Sequence, residues 1–465
     1  MASELNYSHC AVLHNRLLEI GWVGSGKRLE YDSNNDQAEV LHRRNWFEYF
    51  GEDAERIRGR LSPSLVAFLE RALVVDDHSL HYYVGGLASP DYLWLNHHSG
   101  GYSAEASDRY WTLYTATGIA SEPDGLVFDQ VGNKAVMQTS IFDSPITHND
   151  RQQWFPLEDV LSAWLDMVEV GKVRAVGPDV EVPNEKFDPW IILPYSESQL
   201  QETLTAYHGL LDAIESRIPD VARPPSEPQL IPNTSLDTAN ISPGFVREFL
   251  NKAQRPWFQY IAPGLEIPTI DSFCEQPFSG VELNSISETS ATPQTIQFPI
   301  LLFRASDMFR TPPSPHGVDD QTGSYLPFAW PWSGVRTYPA GLYLTDSDRQ
   351  AMCFEDGARV VLPFGIGASG YARTSDGARF GENKEEKGSL LHRMKDTHAD
   401  LYQLGYNPFI ESHEVRLVQV LHLWHKQIET GAWEVGRDGV LGGIEKWREA
   451  DSEAGWKGYV VLISW

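Results

Sequence analysis

Apolar residues recur at helical spacing from Cys10 to Ile20, at Val12, Leu13, Leu17 and Ile20, which predicts an amphipathic helix. Ser62 and Pro63 suit the N-cap and first position of a second helix running through Leu65, Phe68, Leu69 and Leu73. From Ser79 to Gln138 the pattern shortens. The runs Leu80–Val84, Tyr92–Leu95, Tyr110–Tyr114 and Leu126–Phe128 are rich in aromatic and β-branched residues, and glycine pairs at Gly85-Gly86 and Gly100-Gly101 punctuate them. This predicts an antiparallel β section. Helical spacing returns over Pro156 to Val170, with Leu157, Val160, Leu161, Trp164, Leu165 and Val168 inward and Gly171 placed to end it. It returns again over Ser196 to Ile218, opened by Ser196 and Gln199 as a capping pair.

Residues 219–243 hold Pro224, Pro225, Pro228 and Pro232. They are too proline-rich for regular structure and too long for a tight turn, so they read as a connection. A short helix from Ser242 to Ala253 opens the second half. Two buried-type strands come next, at Phe298–Phe303 and Val360–Phe364. Glu411–Thr430 has Val415, Val418, Leu421 and Ile428 at helical spacing, Gly442–Asp451 reads as a short helix, and Tyr459–Trp465 reads as a last strand. The predicted class is α+β, with mixed or antiparallel sheets and packed helices in two fused halves, 1–218 and 244–465.

Composition narrows the function classes. At 465 residues the chain exceeds one usual core, and fifteen tryptophans supply much apolar area. The formal charge of −27 argues against bulk attraction to DNA or to an anionic membrane. Cys10, Cys274 and Cys353 are odd in number and far apart, so neither a disulfide framework nor a structural zinc site is expected. With no leader-like start and no long apolar run, a cytoplasmic protein is the expectation.

The chemistry concentrates in the second half. Between Lys252 and Lys384 every basic residue is arginine: Arg255, Arg304, Arg310, Arg336, Arg349, Arg359, Arg373 and Arg379. A forked guanidinium suits bidentate contact with carboxylate or phosphate. Two readings stand side by side: a ligand site, or buried Arg–Asp pairs that tie loops together through Asp307, Asp319, Asp320 and Asp356. If Phe298–Phe303 continues as a helix, Arg304, Asp307 and Arg310 share one face. The expected site takes Asp307, His316 and Asp319 as catalytic groups. Arg304, Arg310, Asp320, Trp330, Trp332, Arg336 and Tyr338 would bind substrate. No cofactor and no metal is expected.

Other motifs have plainer readings. Gly21 to Lys27 matches GxxxxGK, but Arg28 stands where a magnesium-binding hydroxyl belongs. Gly365, Gly367 and Gly370 match GxGxxG, but the residues from Tyr371 to Gly381 lack helical spacing, so a glycine-rich turn is expected. His422, His425 and Glu429 share a helix face, which suits a metal or, more simply, a polar flank.

Two stretches carry a resemblance: Trp190 to Ser196, with Pro194-Tyr195-Ser196 opening a helix, and the tail from Glu414 through Trp433 to Glu445. They are similar to large proteins of filamentous fungi, and among characterised families the chain resembles the arginine-containing cyclodipeptide synthases. No catalytic motif carries that likeness. It implies a tRNA-dependent aminoacyltransferase of secondary metabolism that joins arginine to a second residue as a diketopiperazine. Its partners would be aminoacyl-tRNAs. Arginine as substrate calls for an acidic, aromatic pocket, and tRNA calls for a local basic face. Arg43, Arg44, Arg56, Arg58 and Arg60 are candidates for that face, or a solvated helix balanced by Glu48, Glu52, Asp53 and Glu55. The alternatives are a non-enzymatic binding or assembly protein and a cofactor-free enzyme on a small anionic metabolite.

Overall fold

Residues 4–30, 39–76, 78–94, 108–118, 125–138, 154–182, 185–219, 228–281, 298–311, 326–328, 332–349, 352–380, 398–405, 407–410 and 414–465 are described in a computed structural model. The fold is α+β. Its contacts form two compact units. The first comprises Met1–Ser196, Tyr406–Ser412 and Ser464–Trp465, and the second Glu197–Gly405 and His413–Ile463.

In the first unit the elements are α1 (Tyr7–Gly24), β1 (Arg44–Asn45), α2 (Trp46–Phe50), α3 (Glu52–Ile57), α4 (Pro63–Leu69), β2 (Leu73–Val74), β3 (Val84–Leu87), α5 (Pro90–Trp94), β4 (Tyr110–Ala116), β5 (Gly125–Asp129), β6 (Lys134–Gln138), α6 (Leu157–Glu169), β7 (Val173–Ala175) and β8 (Trp190–Ile192). β3 to β6 form an antiparallel meander in chain order, and β1–β2 and β7–β8 are two-stranded pairs. The antiparallel β section predicted over 79–138 is present, although its first strand begins at Val84, where the expected run Leu80–Val84 ends. Tyr92, expected in a strand, instead lies in α5, where Pro90 stands at the helix start. Ser62 caps α4 by accepting from the Leu65 N–H, with Pro63 behind it.

The inward face of α1 differs from the expectation. Cys10, Leu13, His14, Leu17, Leu18 and Gly21 are buried, while Val12 is 64% exposed. The true stripe runs 10, 13, 14, 17, 18, 21, a clean helical period that includes a histidine. Of the two GxxxxGK glycines, Gly21 serves packing, since a Cβ there would lie 2.8 Å from the Trp190 ring, and Gly26 takes φ of 86° just beyond α1. Gly24, between them, would place a Cβ 2.3 Å from the Ala175 Cβ. Gly21 to Gly24 are helical, so no phosphate loop is formed there.

The second unit contains α7 (Glu197–Glu215), α8 (Asn233–Thr238), α9 (Phe245–Lys252), β9 (Tyr260–Ala262), β10 (Leu265–Glu266), α10 (Ile270–Cys274), β11 (Ile300–Arg310), β12 (Thr337–Arg349), β13 (Met352–Ile366), β14 (His398–Leu401), α11 (Leu417–Glu429), β15 (Val435–Gly436) and β16 (Gly439–Val440). Its eight-stranded sheet has the order β14-β13-β12-β11-β10-β9-β16-β15, antiparallel except where β16 meets β9. α7 packs along α11 and against α9. The compact units therefore divide at Ser196/Glu197, ahead of the proline-rich connection, within which α8 forms.

Two second-half expectations change. Ile300 to Arg310 is one strand, not a strand followed by a helix. Its far end pairs with β12, Phe309 opposite Tyr338 and Arg310 opposite Thr337. The tail after Tyr459 forms no strand. Side chains take its carbonyls instead: Gln419 donates to Leu462 O in the second unit, and Asn407 donates to Ser464 O in the first.

Candidate functional site

Strand geometry separates the residues expected to act together. The pairing of β11 with β12 is irregular between Arg304 and Met308, so simple alternation is lost there. Arg304 is half-buried with Glu275 4.0 Å away, and Asp307 and Arg310 are exposed. Arg336 is exposed, and its carbonyl accepts from the Thr311 N–H. Tyr338 is core. It packs among Phe278, Phe309, Phe328 and Tyr343, with Trp332 at the edge of the same cluster. Burial, then the Asp400 charge, pushes its phenol well above the ordinary range. His316, Asp319, Asp320 and Trp330 lie outside the described residues.

Several second-half arginines hold backbone or neighbouring acids. Arg359 donates to Pro327 O, lies 3.1 Å from Asp400, and reaches Glu414 at 2.5 Å. Arg416 pairs with Asp356 at 2.9 Å, both buried, and meets Glu202 at 3.4 Å. Arg255 donates to Leu230 O, and Arg373 donates to Gly370 O.

The GxGxxG segment is a turn filled from within the protein. The Asp451 carboxylate accepts four backbone N–H groups: Gly367 at 2.9 Å and Ser369 at 2.8 Å on one oxygen, Tyr371 at 2.8 Å and Ala372 at 2.9 Å on the other. Gly367 and Gly370 take φ of 108° and 78°, the left-handed region that turns successive amides inward. Burial acts to raise the Asp451 pKa, and the four donors outweigh it, leaving it below the ordinary value. Asp451 thus stands where a nucleotide phosphate would have to bind.

Basic residues of the candidate tRNA face have acidic partners. Arg43 pairs with Glu19, Arg44 with Asp76, Arg56 with Asp53, Arg58 with Glu55 and Glu70, and Arg60 with Asp108. His425 lies 3.7 Å from Glu429, which also meets Arg217. Among the described residues, no group of three His, Cys, Asp or Glu side chains is arranged to hold a metal, and no helix is long and apolar enough to cross a membrane.

A hollow of about 430 Å³ lies in the first unit, a size suited to a small molecule. Leu18, Phe50, Leu73 and Leu87 give it apolar walls, and Trp22, Tyr49 and Tyr92 add aromatic faces. Its polar groups are His14, Asp76 and His78, with the Ser79, Ser89 and Thr115 hydroxyls. The Tyr49 hydroxyl donates to Asp76. The Arg44 guanidinium lies 3.7 Å from Asp76 and 4.9 Å from the Tyr49 ring centre.

His14 is a fixed neutral group. Its Nε2–H donates to Leu73 O at 2.8 Å, so Nδ1 accepts from the Tyr114 hydroxyl at 3.0 Å. Burial lowers its pKa to about 4. His78 lies against Trp22, ring centres 5.4 Å apart. Burial, then the Lys27 charge, lowers its pKa, although the nearby Asp76 backbone favours the protonated ring. Its ring nitrogens make no hydrogen bond of good geometry among the described residues. Both nitrogens are covered from solvent, so His78 gives the wall a neutral, shielded ring. Cys10, hydrogen-bonded to Glu158 at 3.7 Å, is held as a thiol: burial, then the Glu158 charge, raises its pKa.

Sequence reasoning missed this hollow. His14 was visible as a histidine within the α1 stripe, three to four residues from Cys10, Leu17 and Leu18. Asp76 and His78 carried no local signal, because loops and short strands bring them together. No family model matches the chain, and no curated protein and no solved structure matches it either.

Proposed function

We propose that the chain is a tRNA-dependent acyl-transfer enzyme that builds an arginine-containing cyclic dipeptide. The observation that carries this reading is the acidic, aromatic-walled hollow, with Asp76 beside Tyr49 and with Phe50 and Tyr92 also on its wall. Aromatic faces and a carboxylate are what a guanidinium guest requires. Arg44 already meets Asp76 and Tyr49 in that manner, so a bound arginine side chain would share or replace it. The incoming α-ammonium would give one proton to solvent, since an α-amine ionises close to neutral pH. The free amine then attacks the aminoacyl ester carbonyl, a C–N bond forms, and the ester C–O bond breaks. The departing tRNA oxygen takes up the second proton shed by the attacking nitrogen, and a second such attack closes the ring.

The test is expression in a bacterial host with profiling of cyclic dipeptides. A new arginine-containing diketopiperazine is expected, lost in Asp76→Asn, and abolished in lysate when charged tRNA is degraded. No new product from well-folded protein would remove the reading. A non-enzymatic binding or assembly protein is the second reading. It is favoured by the buried Arg416–Asp356 pair and by Arg359 between Asp400 and Glu414, where arginine holds the fold together.

A further inference from the structure

A second hollow, of about 620 Å³, lies wholly within the second unit, between the outer face of α11 and the segment from Trp456 to Leu462. Its walls are mainly apolar, from Leu423, Trp456, Val460, Val461 and Leu462. Leu462 is 82% exposed, an unusual setting for so large an apolar side chain. The hollow is also fixed in shape. Gln419 donates to Leu462 O at 3.0 Å and Gln427 donates to Gly458 O at 2.7 Å, so two α11 side chains staple the tail segment.

Its charge is opposite to that of the chain. The protein carries 64 acidic against 37 basic residues, yet no Asp or Glu is among the described residues lining this hollow. Its ionisable lining groups are His422, Lys426 and Lys457. Neither lysine makes an ion pair among the described residues. An apolar trough edged by exposed amines suits one kind of guest.

We propose that this groove binds an amphipathic carboxylate, a soluble molecule with an extended apolar body and one anionic head. The body lies along Leu423, Val460 and Leu462, and the head meets Lys426 and Lys457 at the rim. This site is separate from the hollow of the first unit and does not rest on the reading of that hollow.

The test uses the full chain and a fluorescent fatty acid, 11-(dansylamino)undecanoate, followed by dansyl emission and displaced by unlabelled probes. Dodecanoate should displace it at least tenfold better than dodecanol, which keeps the body and lacks the charge. Across octanoate, decanoate and dodecanoate, affinity should rise by up to about fourfold per added methylene. Lys426→Gln with Lys457→Gln should abolish the preference for the acid over the alcohol. Leu462→Asp, at an exposed position that leaves folding unchanged, should weaken dodecanoate at least tenfold. Equal displacement by acid and alcohol, no binding of the dansyl probe, or indifference to Leu462→Asp would each overturn the proposal. So would binding seen only on anionic vesicles, which would make the patch a membrane-surface contact.

Discussion

Asp451 offers the most direct test of how the second unit is held together. Asn at this position keeps the shape and one accepting oxygen. The other oxygen becomes an NH₂ group that faces two backbone donors. Two of the four hydrogen bonds are lost, leaving either Gly367 and Ser369 or Tyr371 and Ala372 unpaired. A hydrogen bond to a charged group contributes about 1.5–3 kcal/mol, and partial contact with solvent lowers that figure. A loss of about 2–4 kcal/mol is expected for Asp451→Asn. Amide hydrogen exchange is the suitable assay, because two compact units need not unfold as one. Protection of the four loop amides should fall by roughly 30- to 700-fold, while amides of the first unit keep theirs. pH gives an independent check. The folded-state pKa of Asp451 lies below its unfolded value, so its contribution is complete above the ordinary carboxylate range and disappears as pH falls through the folded value. The difference between wild type and Asp451→Asn should therefore be flat near neutrality and shrink below about pH 4. Unchanged protection, or a difference that stays constant down to pH 3, would refute the reasoning.

Arg416→Met should cost about 3–5 kcal/mol by leaving the Asp356 carboxylate buried with its main cation gone, and adding Asp356→Leu should recover most of the loss. Urea midpoints of the two variants check this, and equal midpoints would contradict it. His14, with its pKa lowered from 6.5 to about 4 by burial, favours the neutral ring in the folded state. Its contribution is full above pH 6.5 and is lost as pH falls toward 4, about 3 kcal/mol in all, so His14→Gln should flatten the acid limb of a melting-temperature profile of the first unit. His81 is fully buried against Trp164, with its pKa lowered to about 3 and no hydrogen-bond partner for its ring among the described residues. His81→Phe should leave stability at pH 7 within about 1 kcal/mol of wild type, whereas a paired histidine would cost more. Gly21→Ala should destabilise the first unit by about 1–3 kcal/mol through contact with Trp190, read as a lowered melting temperature.

The features legible in the sequence were those that depend on neighbours in the chain. The helical stripes of α6, α7 and α11, the Ser62–Pro63 start of α4, and the short-strand texture of β3 to β6 all rest on local spacing and local chemistry. The glycine turn at 365–370 was readable for the same reason, since a non-helical continuation excludes a dinucleotide loop. The group that fills it was not readable, because Asp451 lies some eighty residues away and carries no mark that sets it apart from other acids. The arginines show the limit more sharply. A lysine-free stretch correctly suggests that guanidinium geometry is being used, but it does not say by whom. At Arg359 the users are Asp400 and Glu414, the first fixed by β13 to β14 pairing; Arg416, beyond that stretch and at the start of α11, is held by Asp356. Taking β11 for a helix gathered Arg304, Asp307 and Arg310 onto one face, whereas a strand with an irregular register sets them apart. The hollow of the first unit was hidden by the same cause. Its wall comes from α1, α2 and the loops after β2, and only the packed fold brings a carboxylate and two neutral imidazoles to one cavity.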